Sequence, residues 1–298
     1  MQIMKPMKYL SRLFPVLLLP LLLSCAGEGL DLKTWNAYRN PLILSNVPNP
    51  DVLQENGTWY LYSDGAADEE VISLMASTDL VDWGLLDPLF DEDTRPSFIP
   101  GGTVSGPSVI KAGGEYLLSY SLWKSDEECG IGVASAPTPT GPWVDHGALI
   151  CASDPGPTGL TQPFAFEAEG ALWLAFSASD GIYLLPLATS GREPAANASP
   201  VRIIEGPLTT PVLFQEGGRW YLLATTGSTN AGASSTAVIT VCSASSLKGP
   251  YAEWKNLIDR STKFAGAGSP SRLIRDSDGS DWILYNAIDL STISSGRT

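Results

Sequence analysis

The chain has 298 residues and 44 % hydrophobic content, longer than an ordinary single domain but within reach of a closed all-β fold with a sizeable core. Its formal net charge of −14 argues against nucleic acid as a partner, because phosphates need Lys and Arg to neutralise them. The same acidity disfavours polyanionic ligands and otherwise serves as a soluble surface.

The N-terminus reads as a targeting segment. Lys5, Lys8 and Arg12 form a basic start, and the apolar run from Leu13 to Leu23 is too short to span a bilayer comfortably. It ends in Leu22-Leu23-Ser24-Cys25-Ala26, which resembles a bacterial lipobox. That resemblance implies a signal peptide over 1–24, lipidation of Cys25, a tether over 25–39 and export, with the acyl chains as the only membrane contact. An ordinary signal peptide or a membrane anchor is the alternative. The remaining residues, 40–298, read as one domain, expected to be a monomer.

Within that domain one element recurs. Pro50 is followed seven residues later by Gly57 and then by Trp59-Tyr60-Leu61-Tyr62. Pro107 and Gly114, Pro163 and Gly170, and Pro211 and Gly218 repeat the offset, each before an apolar and aromatic run. Pro270 and Gly279 give a fifth, longer copy. Copies roughly 50–60 residues apart match the period of propeller blades, so the spacing predicts an all-β, five-bladed β-propeller. Blade one is expected to pair strands over 50–54 and 58–63, turning at Asn56-Gly57, where both residues tolerate positive φ. A third strand is expected over 71–77, and Trp83 is expected to pack between blades. Blade two is expected to use 108–111, 115–121 and 130–135, closing at Gly141-Pro142-Trp143; blade four closes similarly at Gly249-Pro250-Tyr251. Blade five stops early, so either it is incomplete or N-terminal residues complete it.

The innermost strand of each blade lines the central channel. If the Pro-led strand is innermost, Asn49, Ser108, Gln162, Thr209 and Ser269 gather on the floor of one channel mouth, with Asp64, Trp123, Asp180 and Asn230 on its rim. A rigid pocket walled by an aromatic ring and neutral polar groups suits a sugar. Cys129, Cys151 and Cys242 are an odd set without a CxxC spacing, so neither a metal nor a cofactor is expected. The single histidine, His146, makes no cluster, and Asp276-Ser277-Asp278-Gly279 reads as a turn.

These residues carry a resemblance to glycoside hydrolase family 43, especially its arabinanase, arabinofuranosidase and xylosidase members. It rests on Asn40-Pro41-Leu42-Ile43-Leu44, the Pro-led repeats, Ile131-Gly132-Val133-Ala134 with Gly141-Pro142-Trp143, Gly279-Ser280-Asp281-Trp282-Ile283-Leu284-Tyr285, and the terminal Gly296-Arg297-Thr298. The resemblance implies a five-bladed propeller that hydrolyses arabinose- or xylose-containing glycans with inversion. It also implies carboxylates that this chain lacks. The family's base, before the first proline, is Asn49; the Asp after the second proline is Ser108; the acid, two residues before the fourth proline, is Thr209. The Asp often found before the third proline is Gln162. A His associated with a central ion is Ser269, and the Tyr-His that often follows is Tyr285-Asn286. Inverting hydrolysis needs one carboxylic acid and one carboxylate about 6.5–9.5 Å apart, and Asn, Ser and Thr exchange no proton near neutral pH. The expectation is a lipoprotein that binds arabinose- or xylose-containing oligo- or polysaccharide through Asn49, Ser108, Trp123, Gln162, Thr209 and Ser269 without efficient hydrolysis. One alternative is an active glycosidase rescued by Asp51, two residues beyond Asn49, and Glu205, which copies the acid motif four residues early. Another is a structural or partner-binding propeller.

Overall fold

Four of the five hairpins turn on two consecutive left-handed residues. These are Asn56-Gly57, Gly113-Gly114, Glu169-Gly170 and Gly217-Gly218, with φ from 51° to 85°. Such pairs match the right-handed twist of the strands they join, which is why the glycine recurs at a fixed offset. The computed structural model describes residues 2–4, 40, 42–43, 47–65, 71–229, 231–275 and 281–291.

Strand β1 (Gln2–Met4) precedes five sheets arranged as a five-bladed propeller. Blade one is β2 (Asp51–Glu55), β3 (Thr58–Asp64), β4 (Ile72–Ser77) and β5 (Gly84–Leu85), paired in that order. Blade two is β6 (Thr103–Ala112), β7 (Glu115–Trp123), β8 (Cys129–Ala136) and β9 (Val144–Cys151). Blade three is β10 (Thr161–Ala168), β11 (Ala171–Ala178), β12 (Gly181–Pro186) and β13 (Val201–Glu205). Blade four is β14 (Thr209–Glu216), β15 (Arg219–Thr226), β16 (Val238–Ala244) and β17 (Ala252–Ile258).

Blade five differs. Its inner edge is split into β18 (Phe264–Gly268) and β19 (Ile274–Arg275), which both pair with β20 (Asp281–Asp289). On the other side of β20 lies β1, with Gln2 opposite Tyr285. N-terminal residues thus add to this blade, and they lie inside the segment expected to be a leader. A mature chain cleaved before Cys25 would lack β1. Cys25 itself, the tether, Asn230 and the acidic turn at 276–279 lie outside the described residues.

The residue before each repeated proline is left-handed: Asn49 (φ 47°), Gly106 (61°), Gln162 (50°), Thr210 (53°) and Ser269 (51°). In blades two, three and four this left-handed residue lies within a bulge. Three steps on the inner strand face two on its neighbour, from Ser105 to Ser108, Thr161 to Phe164 and Thr209 to Val212. Bulges bend a strand and re-aim its side chains, and in these three blades they fall where the inner strand meets the axis.

Four apolar clusters lie between neighbouring blades. Tyr62 and Trp143 meet edge to face at 6.3 Å between blades one and two. Leu117, Ile131, Leu174 and Phe176 join blades two and three, and Phe166, Trp220 and Ile283 belong to the cluster spanning blades three to five. Val52, Leu61, Ile274 and Leu284 close the ring between blades five and one, with Trp83 packed against them.

Candidate functional site

The prolines bring two concavities to the same mouth. The first is a pit of about 30 Å³ on the axis, lined by Asn49, Asp51, Ser108, Gln162, Ser269 and Arg272 among others. That is the room of about one water molecule. The second is an open cleft of about 720 Å³ across blades two to four. Thr103, Ser105, Thr161, Ser177, Ser179 and Thr209 bring hydroxyls to its walls, Trp123 is 42 % exposed there, and Asp126 is its charged group among the described residues.

The six residues expected to bind ligand therefore divide. Asn49, Ser108, Gln162 and Ser269 line the pit; Trp123 and Thr209 line the cleft. Thr209, expected on the floor, is one residue off: Thr210 holds the left-handed position and enters the pit. Ser108 is fully buried and ties blades together, accepting hydrogen bonds from Ala165 N at 3.0 Å and Arg272 Nη2 at 3.3 Å.

A polar network covers the pit floor. Asn49 Nδ2 donates to Asp64 Oδ2 at 2.6 Å, and Gly106 N donates to Asp64 Oδ1 at 2.6 Å. Asn49 Oδ1 accepts from Gln162 Nε2 at 3.1 Å and from Ser269 Oγ at 2.8 Å. Asp64, expected on the rim, is instead drawn beneath Asn49. Burial pushes its carboxyl up to about 7, against the two hydrogen bonds that favour the charged form.

Asp51 is engaged differently. Arg272 Nε and Nη2 donate to its two oxygens at 2.9 and 2.7 Å, and Val52 N and Val109 N add bonds at 3.0 and 2.8 Å. A carboxylate offers about four acceptor positions, so all of them are in use. The Arg272 guanidinium also stacks over Phe164 with its carbon 5.0 Å from the ring centroid. This pair links blades one, two, three and five at the axis.

Glu205 lies elsewhere. It ends β13, the outermost strand of blade three, three strand spacings or roughly 14 Å from the innermost. Its side chain is 79 % exposed and meets Arg202 at 3.5 Å. Asp51 and Glu205 are not brought together, because the chain crosses from outer to inner strand between Glu205 and Thr209. Asp180 is likewise taken by the outer strands, accepting from Arg202 Nη1 at 2.6 Å and from Tyr183. His146 is exposed, with Nε2 2.9 Å from Ser135 Oγ. All three described cysteines are free. No group of His, Cys, Asp and Glu among the described residues could hold a metal ion.

Arg272 in the pit and the hydroxyl residues Thr103, Ser105, Thr161 and Ser179 of the cleft escaped the sequence reading. Arg272 sits where blade five's inner edge is broken, so no strand pattern marks it. Ser177 is 1 % exposed at the end of β11, lines the cleft, and has no hydrogen-bond partner for Oγ among the described residues. Its place near the end of a second strand that returns to the mouth, opposite Thr161 in the ladder, is what marks it.

Comparison with known proteins agrees with this architecture. The model of the family described as glycosyl hydrolases family 43 matches residues 38–298. An extracellular endo-α-(1→5)-L-arabinanase of Bacillus subtilis (strain 168) is 26 % identical over 248 residues, 78 % of this chain and 73 % of the relative. An extracellular exo-α-(1→5)-L-arabinofuranosidase of Cellvibrio japonicus (strain Ueda107) is 23 % identical over 287 residues, 82 % of this chain and 79 % of the relative. The structure of a Cellvibrio cellulosa α-L-arabinanase complexed with arabinohexaose superposes with a TM-score of 0.73 at 23 % identity, covering 83 % of this chain and 88 % of that one.

Proposed function

The chain belongs to glycosyl hydrolases family 43, and from that premise we propose that it binds arabinose- or xylose-containing oligosaccharides, those of arabinan first, without efficient hydrolysis. One observation carries the reading. Of the described residues lining pit and cleft, only Asp51 and Asp126 bear carboxyl groups, and Asp51 has its acceptor positions filled by Arg272, Val52 and Val109. Inverting hydrolysis requires two carboxyl groups that can give and take a proton; general acid–base help is worth about 10²–10⁴-fold per group. The hydroxyl-lined cleft, the exposed face of Trp123 and the neutral amides of Asn49 and Gln162 can still donate and accept hydrogen bonds from sugar hydroxyls.

The arabinan preference is supported by the arabinanase and arabinofuranosidase activities of the two relatives and by the arabinohexaose complex of the structural neighbour. Calorimetric titration with arabinohexaose and with xylohexaose tests it. Saturable binding of arabinohexaose is expected; no binding of either sugar would end the proposal and favour a propeller that serves structure or a protein partner. Both relatives are extracellular, which supports export of this chain too, and the lipobox-like Ser24-Cys25 supports a lipid tether. Palmitate labelling of the full chain in a bacterial host is expected to be lost in Cys25→Ala; equal labelling of the variant would rule the tether out.

A further inference from the structure

We propose that Asp64 is the positioning residue of the pit: it sets which way the Asn49 amide points, and a proton taken up from solvent reverses the donor–acceptor order of the whole floor. Its bearing on saccharide binding rests on the reading above; the reversal itself does not.

The argument starts from hydrogen inventories. An ionised carboxylate only accepts, so Asn49 must present Nδ2 to Asp64 Oδ2, at 2.6 Å. That turns Oδ1 toward the axis, where it accepts from Gln162 Nε2 and Ser269 Oγ. Gln162 is thereby fixed with Nε2 toward Asn49 and with Oε1 buried and without a partner among the described residues. The unpartnered position beside the pit is therefore a buried acceptor.

A proton on Asp64 changes each link. Gly106 N continues to donate to Oδ1. Oδ2 now donates, so the Asn49 amide turns over and offers Oδ1 to it. Asn49 Nδ2 then faces the axis, Ser269 Oγ accepts from it, and Gln162 turns to accept through Oε1. The open position becomes the Gln162 Nε2 donor. The number of bonds among Asp64, Asn49, Gln162 and Ser269 is kept, while the Ser269 hydroxyl hydrogen gives up Asn49 Oδ1 as its acceptor and turns away. An acceptor-only ligand oxygen fits the second arrangement and is repelled by the first.

The surroundings leave Asp64 to act alone. Strand β3 carries Tyr60 and Tyr62 as its other titratable groups; β2 carries Asp51, already paired with Arg272, and Glu55, paired with Lys111 of β6. Strand β4 carries none. No charged side chain contributes to the Asp64 shift, which burial dominates. At about 7 the group changes state where small pH steps matter.

The full chain, labelled for its side-chain amides and carboxyl carbons, is titrated by NMR from pH 5.5 to 8.5, alone and with arabinohexaose. In the wild type the Asn49 and Gln162 amide signals are expected to move together with the Asp64 carboxyl, at a common midpoint near 7. The variant Asp64→Asn can accept from Gly106 N while donating to Asn49 Oδ1, so it should lock the reversed order. Its amide signals at pH 8 are expected to match those of the wild type at pH 5.5. Arabinohexaose affinity is expected to change severalfold across the interval in the wild type and to stay flat in the variant. Amide signals that stay still while Asp64 titrates, or an Asp64 midpoint near the ordinary carboxylate value, would overturn the reversal even if the variant failed to fold. A reversal seen with unchanged affinity would overturn the positioning role alone. A reversal without any arabinohexaose binding would remove both that role and the binding reading and leave the network established.

Discussion

Asp51 and Asp64 sit at the same open end of the β2–β3 hairpin, and neither is available in the way a lone carboxylate in a sequence suggests. Asp51 is held by four donors, and removing it would leave Arg272 unpaired over Phe164. Breaking a largely buried pair costs about 3–5 kcal/mol. Because Arg272 retains 20 % exposure, the lower end applies. Asp51→Ala is expected to lose about 3 kcal/mol in urea unfolding, and a loss under about 1 kcal/mol would show that the axial pair is not structural. Asp64 gives a pH signature instead. Its carboxyl stands at about 7 in the fold and returns to its ordinary value of 3.8 on unfolding. The folded state therefore holds the proton more tightly. The stabilisation is fully present below the lower value and is lost as pH rises through about 7. The thermal midpoint is expected to fall from pH 5 to pH 8, and Asp64→Asn is expected to remove most of that slope; parallel curves for the two proteins would contradict the assignment.

At the scale of elements, the hairpins and their prolines were legible and the bulges were not. A proline and a glycine seven residues apart mark a strand start and a turn, and both positions have one physical cause: fixed φ in the first case, positive φ in the second. Strand β6 shows what the pattern hides. It was expected to begin at Ser108, yet it runs from Thr103, because Ser105-Gly106-Pro107 reads as a break and is in fact a bulge within a continuous strand. The corresponding bulge in β14 moves Thr209 from floor to cleft, since counting back from Pro211 cannot tell which of two threonines turns inward. Blade five was legible as short, with completion by N-terminal residues as one of two alternatives, but the strand that pairs was not: the pairing of β1 with β20 joins opposite ends of the chain and has no local signature. Glu205 failed for a similar reason. A motif copied four residues early lies before the crossing between blades, on the outermost strand instead of the innermost.

For the whole molecule, the ring of blades gives a narrow axis and an off-centre cleft. A saccharide of several residues cannot enter a pit of about 30 Å³, so the proposed binding places it across blades two to four, with at most one small group reaching the pit. Trp123 is the exposed aromatic surface along that path. Trp123→Ala is expected to weaken arabinohexaose by about 1 kcal/mol, roughly fivefold, while leaving the melting midpoint unchanged; unchanged affinity would place the ligand elsewhere. The central claim is that this mouth holds a glycan without cutting it. Its most direct measurement is chromatography of arabinohexaose kept overnight with a saturating amount of the protein that binds it. The account predicts intact hexaose. Arabinose or shorter oligosaccharides, produced by the wild type and absent from an Asn49→Ala, Thr209→Ala control, would contradict it.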